Sequence, residues 1–118
     1  MFKDYNEAVE FIKKTHKKYK LKIKAPYRVE FSNRMRSCLG RCRERTLYGR
    51  PILYIFTYNN KFINANLNNG NKIEDTVLHE IAHAIVGNAH HHDYVWRDCA
   101  QRIGCSGSRL ATGINHYN

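Results

Sequence analysis

The stretch "HEIAH", residues 79–83, guides the interpretation of the whole chain. On a helix, residues four apart lie about 40° apart around the axis and about 6 Å along it, so His79 and His83 can reach one ion. Glu80 lies on the same turn, where its carboxylate can contact a water on that ion. With seven histidines in the chain, the pattern can also arise by chance, so its structural context must support it.

That context predicts a buried helix. In "EDTVLHEIAHAIVG", Asp75 or Thr76 can act as the N-cap and Gly87 as the C-cap, which gives about three turns. A single histidine on such a helix is more often a core residue with a satisfied hydrogen bond. Two histidines that bracket a glutamate favour a metal site, because unpaired buried polar groups cost a few kcal/mol. The apolar residues of the helix are Val77, Leu78, Ile81, Ala82, Ile85 and Val86.

Candidates for a third ligand follow directly in "GNAHHHDYVWRDCAQRIGCSG". Asp93 can cap a helix from Tyr94 to Ile103 that Gly104 closes, so the histidine tract lies in the turn between two helices. Three protein ligands and one open position are typical of a catalytic zinc site. A histidine-rich loop that binds metal without catalysis is the alternative. The residues alone do not choose among His90, His91 and His92.

The first part of the chain predicts one helix and several strands. "DYNEAVEFIKKTHKKYK" is amphipathic, with Asp4 as N-cap and Glu7 at the capping-box position. A strand is expected around Tyr27–Phe31, and two or three short antiparallel strands in residues 35–71. We therefore expect an α+β fold with a basic first helix, an antiparallel sheet of about three strands, the motif helix, a histidine-rich turn and a third helix.

Length and composition indicate one globular domain over residues 1–118, because 42% of the chain is apolar. The acidic residues Asp4, Glu7 and Glu10 occupy the place of the apolar region of a secretory signal. There is no apolar run long enough to span a membrane. We therefore expect an intracellular, monomeric protein that is not secreted.

The cysteines offer a second possible metal site, since zinc ribbons occur in basic proteins. Cys38 and Cys42 would lie roughly 13 Å apart in a strand, too far to share an ion unless Gly40 turns the chain. Cys99 and Cys105 have no second cysteine at ribbon spacing. We interpret all four as reduced, buried thiols.

The net charge of +10 is concentrated in the first half, where residues 1–50 hold 15 Lys or Arg against 5 acids. This excess favours a polyanionic partner, with nucleic acid preferred over a membrane because no apolar face accompanies it. Any single lysine more often only solvates its helix. Tyr19, Tyr27 and Phe31 could stack on bases, although core packing is their commoner role. The candidate DNA-binding residues are Lys13, Lys14, Lys17, Lys18, Lys20, Lys22, Lys24, Arg34, Arg36, Arg41, Arg43 and Arg45.

The stretch "DTVLHEIAHAIVGNAHHHDYVWRDCAQRIGC" resembles the core of the SprT-like metalloprotease family, including small phage-type members and the Spartan protease domain. In that family, the third ligand lies four residues before an aromatic residue. His92 precedes Trp96 by four, so the resemblance selects His92. The basic first helix and "LGRC" at residues 39–42 are similar more loosely. His91 and Asp93 differ from the family, in which many members have glycine at these positions.

The resemblance implies a zincin-like zinc endopeptidase with one Zn²⁺ per chain. His79, His83 and His92 would bind the ion, and Glu80 would act as general base. Tyr94 and His90 are suggested as oxyanion-stabilising donors only by their proximity. Family members act on proteins attached to DNA, so the expected partners are DNA and DNA-bound proteins, with a role in DNA–protein crosslink repair.

Two alternatives belong to other functional classes. The chain could be a non-catalytic nucleic-acid-binding domain with a structural zinc, in which Glu80 has no chemical role. It could also be a zinc hydrolase of small peptides whose basic face serves solubility. The abundance of Asn, Lys, Tyr and Ile indicates an AT-rich coding genome, such as that of a virus.

Overall fold

In the computed structural model, which describes residues 1–107, a three-stranded mixed sheet packs one face against helices α1 and α3. The α+β class and the number of strands are as predicted. The elements are α1 (Tyr5–Lys18), β1 (Tyr27–Ser32), β2 (Gly40–Leu47), β3 (Arg50–Asn59), α2 (Asn60–Ala65), α3 (Gly70–Val86) and α4 (Tyr94–Arg102), with short 3-10 turns at Lys20–Lys22 and Asn88–His90.

Helix α1 begins as its capping signal predicts. The Asp4 carboxylate accepts a hydrogen bond from the Glu7 N–H at 2.9 Å, and the helix buries Ala8 and Ile12 against the sheet. It also buries His16, which the sequence did not indicate as a core residue. The Nε2 of His16 lies 2.6 Å from the Tyr58 hydroxyl. Burial lowers the pKa of His16 to about 3, so this imidazole is neutral at neutral pH.

The prediction of an entirely antiparallel sheet was wrong for one strand pair. Strand β3 lies between the other two, antiparallel to β2 but parallel to β1. Its residues from Tyr54 to Asn59 are buried, and such a continuously buried run is typical of a central strand. The hairpin therefore returns between β1 and β2 instead of extending the sheet outward.

Helix α3 begins at Gly70, earlier than the predicted caps at Asp75 and Thr76. The Asp75 carboxylate instead accepts hydrogen bonds from the backbone N–H and the hydroxyl of Ser106, at 2.6 and 3.0 Å. Ile73 is buried in the main core, so the first turns of α3 have an apolar side to bury. The helix is therefore 17 residues long, more than the three turns expected.

A further helix, α2, lies in a region predicted to be strand or turn. Its N-cap is Asn59, whose side-chain oxygen accepts a hydrogen bond from the Lys61 N–H at 2.9 Å. Phe62 and Ile63 of this helix are buried in the core. Asn59 and Asn60 are thus a helix start rather than a turn between strands.

The four cysteines are free thiols, as predicted. Cys42 and Cys105 are buried, but Cys38 and Cys99 are only half-buried, so the expectation of four buried thiols was wrong for these two. In residues 1–107, no helix has the length and apolar character needed to cross a membrane.

Candidate metal centre

Helix α3 positions the first two histidines of the site. His79 and His83 lie one turn apart and are both buried. The helix ends at Gly87, as predicted, and the Gly87 N–H donates to the His83 carbonyl oxygen at 2.9 Å. Gly87 has a φ of +93°, a conformation that favours glycine, and it turns the chain back toward the two imidazoles.

The loop after helix α3 carries three histidines, and one of them, His92, joins His79 and His83. The Nε2 of His92 lies 3.0 Å from that of His79 and 3.2 Å from that of His83, and the Nε2 atoms of His79 and His83 are 3.3 Å apart. His90 instead contacts Asp93, with Nδ1 and Oδ2 separated by 3.0 Å. Within residues 1–107, His79, His83 and His92 form a group that could hold a metal ion.

The spacing of the three nitrogen atoms suits zinc. Four tetrahedral ligand atoms at a zinc–nitrogen distance of about 2.0–2.1 Å lie about 3.3 Å from one another, close to the 3.0–3.3 Å observed. A neutral imidazole carries only one N–H, so hydrogen bonding alone accounts poorly for three nitrogen atoms in mutual contact. An all-imidazole set also matches the ligand preference of zinc.

Trp96 packs against all three imidazoles. Its ring is fully buried on helix α4, with centroid distances of 4.5 Å to His79, 5.3 Å to His83 and 4.8 Å to His92. The indole N–H donates to the His79 carbonyl oxygen at 3.2 Å. In the sequence analysis, Trp96 served only to select His92, which lies four residues before it. Its structural role is to restrict how the three rings can move.

The start of helix α4 is fixed by the predicted cap. The Asp93 carboxylate accepts a hydrogen bond from the Trp96 N–H at 3.1 Å, and this bond lowers the pKa of Asp93. The cap sets the position of Trp96 relative to the loop. Asp93 therefore connects the histidine-bearing loop to the helix that supports it.

Glu80 belongs to helix α3, and its fully buried carboxylate interacts with residues of strand β2. Burial raises the pKa of Glu80 well above its usual range, while the Arg41 guanidinium and a hydrogen bond from the Cys42 N–H act in the opposite direction. Gly40 allows this close approach, because a Cβ there would lie 3.0 Å from the Tyr58 ring and 3.2 Å from the Thr76 methyl carbon. Strand β2 thus holds the carboxylate of the residue that follows His79 in helix α3.

A cavity of about 250 Å³ opens beside the histidine group. Arg41, predicted as a DNA-binding residue, lies here and not on the exposed basic surface; it is half-buried. Of the two suggested oxyanion donors, Tyr94 is 81% exposed and neither it nor His90 lines the cavity. The lining residues are Arg41, Cys42, Arg43, His83, Asn88, His91 and His92.

The loop at this cavity is shaped by two unusual features. His91 has φ +51° and ψ −119°, a conformation that costs a residue with a side chain about 1–3 kcal/mol. The Asn88 side-chain amide donates to the Cys42 carbonyl oxygen at 2.9 Å, which ties the loop to strand β2. The chain therefore carries a histidine with a strained backbone at the cavity.

The predicted DNA-binding residues are spread over several surfaces. The lysines are exposed on α1 and the segment after it, and Arg43 and Arg45 are exposed on strand β2. Arg34 and Arg36 line a groove of about 730 Å³ together with Lys61 and Lys72, which the sequence did not indicate. Tyr19, Tyr27 and Phe31 pack against the main core, the alternative considered for them.

The comparisons with known proteins add one finding. The model of the SprT-like family matches residues 8–116, nearly the whole chain. The chain belongs to the SprT-like family. A zinc metalloprotease nature is the general property of this family, and the histidine group lies within the matched SprT-like region. Comparison with curated proteins and with solved structures gave no match.

Proposed function

We propose that this SprT-like chain is a zinc-dependent endopeptidase that cleaves proteins bound or crosslinked to DNA. The observation that carries the peptidase part is the convergence of three Nε2 atoms within 3.0–3.3 Å beside a buried glutamate. His79, His83 and His92 would hold one Zn²⁺ as neutral imidazoles. In such a site, zinc supplies Lewis acidity toward water and toward a substrate carbonyl.

Glu80 is the general base in this proposal. Its carboxylate takes a proton from the water that attacks the peptide carbonyl carbon. It then gives that proton to the leaving amine nitrogen as the C–N bond breaks. Burial raises the pKa of Glu80, which makes its carboxylate a stronger base toward the proton of the water. The Cys42 N–H holds the carboxylate in one orientation during both transfers.

Arg41 is the proposed electrostatic partner of the carbonyl oxygen. It is a cation that lines the cavity next to His83 and His92. Its Nε is buried and has no hydrogen-bond partner within residues 1–107. A preorganised guanidinium in this position would stabilise the negative charge that develops on the substrate oxygen. Arg41 therefore replaces Tyr94 and His90 as the candidate for this role.

The DNA part of the proposal rests on charge. The chain carries a net charge of +10, and exposed lysines and arginines lie on α1, on the groove at Arg34 and on strand β2. A surface of this kind binds phosphates with little sequence preference and with strong dependence on salt. Arg43 of strand β2 also lines the cavity, so DNA held on this strand would bring a bound protein within reach of the cavity.

The decisive experiment compares wild type with Glu80→Gln, using Glu74→Gln on the same helix as the matched control. Zinc content is measured by mass spectrometry, and proteolysis of a DNA-binding protein is followed with and without DNA. We expect Glu80→Gln to keep its zinc and to lose at least about 10²-fold in proteolysis. Glu74 is exposed, so Glu74→Gln should behave as wild type.

The other outcomes identify the alternatives. Zinc binding without proteolysis in the wild type would favour a nucleic-acid-binding domain with a structural metal. Cleavage of short peptides alone, with no retention on DNA-cellulose at low salt, would favour a small-peptide hydrolase. Absence of zinc after metal is supplied would refute the peptidase proposal.

A further inference from the structure

The turn between strands β2 and β3 carries an exposed aromatic side chain. Tyr48 and Gly49 form its tip, and Tyr48 is 95% exposed. Leu47 and Ile52 on either side are 54% and 48% exposed. Three large, exposed apolar residues within six positions are uncommon on a surface that is otherwise strongly charged. The hairpin tip therefore carries apolar surface that the fold does not bury.

The backbone of this turn indicates that the tyrosine is not there to stabilise the fold. Tyr48 has φ +51° and Gly49 has φ +76°. Two successive positive φ values are typical of the tight turns for which Asn-Gly is preferred, and an aromatic residue at the first position is strained. A sequence optimised only for the turn would not place tyrosine at this position.

Both strands of the hairpin carry positively charged side chains that are exposed. Arg43, Arg45 and Arg50 are exposed, and no carboxylate in the described part of the chain pairs with any of them. Glu44, the acidic residue between them, accepts a hydrogen bond from the Tyr54 hydroxyl at 2.8 Å. By strand alternation, Arg43 and Arg45 lie on the same face, about 7 Å apart.

We propose that the β2–β3 hairpin is a binding site for single-stranded nucleic acid. The Tyr48 ring stacks on an unpaired base, and Arg45 and Arg50 contact the flanking phosphates. Aromatic rings next to cationic side chains are the usual means of binding single strands, since every base has a face on which a ring can stack. A base-paired duplex presents base edges in its grooves and leaves no internal base face open to Tyr48.

The position of this hairpin connects the site to the metal centre. Arg43 lines the cavity beside the histidine group, and Arg45 and Arg50 lie farther along the same two strands toward Tyr48. A nucleic acid bound on the hairpin would therefore end close to the cavity. This inference rests on the DNA part of the proposed function and specifies where, and in which form, the nucleic acid is bound.

The test is fluorescence anisotropy with a labelled single-stranded oligonucleotide and with a duplex of the same length. Tyr48→Ala should weaken single-strand binding by about fivefold to a hundredfold and change duplex binding much less. Tyr48→Trp should restore the affinity. The matched control is Tyr94→Ala, because Tyr94 is also an exposed tyrosine, 81% exposed, but lies on helix α4. Its affinity should equal that of wild type.

A second variant tests the phosphate contacts. Replacing both Arg45 and Arg50 with glutamine should reduce the dependence of log affinity on log salt by about 1 to 2 units. The comparison variant replaces Lys13 and Lys17 of α1 with glutamine. A larger loss of single-strand affinity in the hairpin variant than in the α1 variant is the expected result.

Several results would overturn the inference. Unchanged single-strand affinity in Tyr48→Ala is one, and an equal loss for single strand and duplex is another. Binding of wild type to anionic vesicles but not to oligonucleotides would assign the hairpin to a membrane surface. Because binding is measured apart from zinc content and proteolysis, a protein that cleaves but binds no oligonucleotide refutes this inference and leaves the peptidase proposal standing.

Discussion

In residues 1–107, His16 and the group of His79, His83 and His92 lie in two enclosed settings that differ in what surrounds the ring nitrogens. His16 is fully buried and has one close partner, the Tyr58 hydroxyl at 2.6 Å. In the second group, the Nε2 atoms of His79, His83 and His92 lie 3.0–3.3 Å from one another. Burial therefore does not distinguish a core histidine from a metal ligand. The number of ring nitrogen atoms that converge distinguishes a metal ligand from a core histidine.

The largest effect is expected when one of the three metal-binding histidines is removed. His92→Ala should reduce zinc content from about one ion per chain to nearly none, because it removes one of three protein ligands. His16→Gln should keep the zinc. Mass spectrometry of both variants after dialysis against zinc-free buffer provides the measurement. Zinc retained in His92→Ala, or lost in His16→Gln, would contradict the distinction between the two groups.

A second prediction concerns the support beneath the ligand rings. Trp96→Ala should reduce the free energy of unfolding by about 3–5 kcal/mol, because it empties a fully buried site. Trp96→Phe keeps a ring but loses the hydrogen bond to the His79 carbonyl, so it should cost less. Urea unfolding of the metal-free proteins measures both. Equal losses would show that the hydrogen bond, rather than packing, dominates.

The third prediction uses the neutral state of His16. Its folded pKa of about 3 is below the unfolded value of 6.5, so the unfolded chain binds more protons between these values. The contribution of His16 is full above pH 6.5 and falls by up to a few kcal/mol as pH decreases toward 3.

His16→Gln can still pair with the Tyr58 hydroxyl but does not titrate. Its free energy of unfolding should therefore depend less on pH between 6.5 and 4 than that of wild type. Urea unfolding of metal-free protein at several pH values tests this. Parallel pH dependences would show that His16 is not the titrating group.

The smallest effect concerns strain near the histidine group. His91→Gly should raise the free energy of unfolding of the metal-free protein by about 1 kcal/mol, because glycine adopts a positive φ without a Cβ clash. His90→Gly is the matched control. It loses the contact with Asp93 and has no positive φ to relieve, so it should not be stabilised. A stability of His91→Gly below wild type would argue that the backbone is not strained there.

Local signals in the sequence predicted much of the helical structure. The caps at Asp4 and Asp93 and the glycine at 87 were recognisable because each acts within one helical turn. The start of α3 was not, because the Asp75 carboxylate bonds to Ser106, which is distant in sequence. The position of β3 between β1 and β2 likewise depends on burial of its two faces, and no local pattern specifies it.

The residues of the candidate site likewise differ in whether local sequence signals could predict their positions. The spacing within "HEIAH" brings His79 and His83 together, as helix geometry requires. The residues alone did not rank the three consecutive histidines, and His92 was selected only by the family resemblance. In the structure His92 lies beside the pair, whereas His90 contacts Asp93. Arg41 comes from a strand far earlier in the chain, so no sequence pattern linked it to Glu80.

The order of assembly follows from where these residues lie in the chain. The three histidines belong to one short segment that ends at His92, whereas Glu80 is held by the Cys42 N–H of strand β2. Closing a short loop costs less entropy than docking a distant strand. We expect the segment of α3 and α4 to capture a metal ion early in folding. Glu80 would become oriented only after the sheet docks, so a partly folded chain would bind zinc without being able to cleave its neighbours.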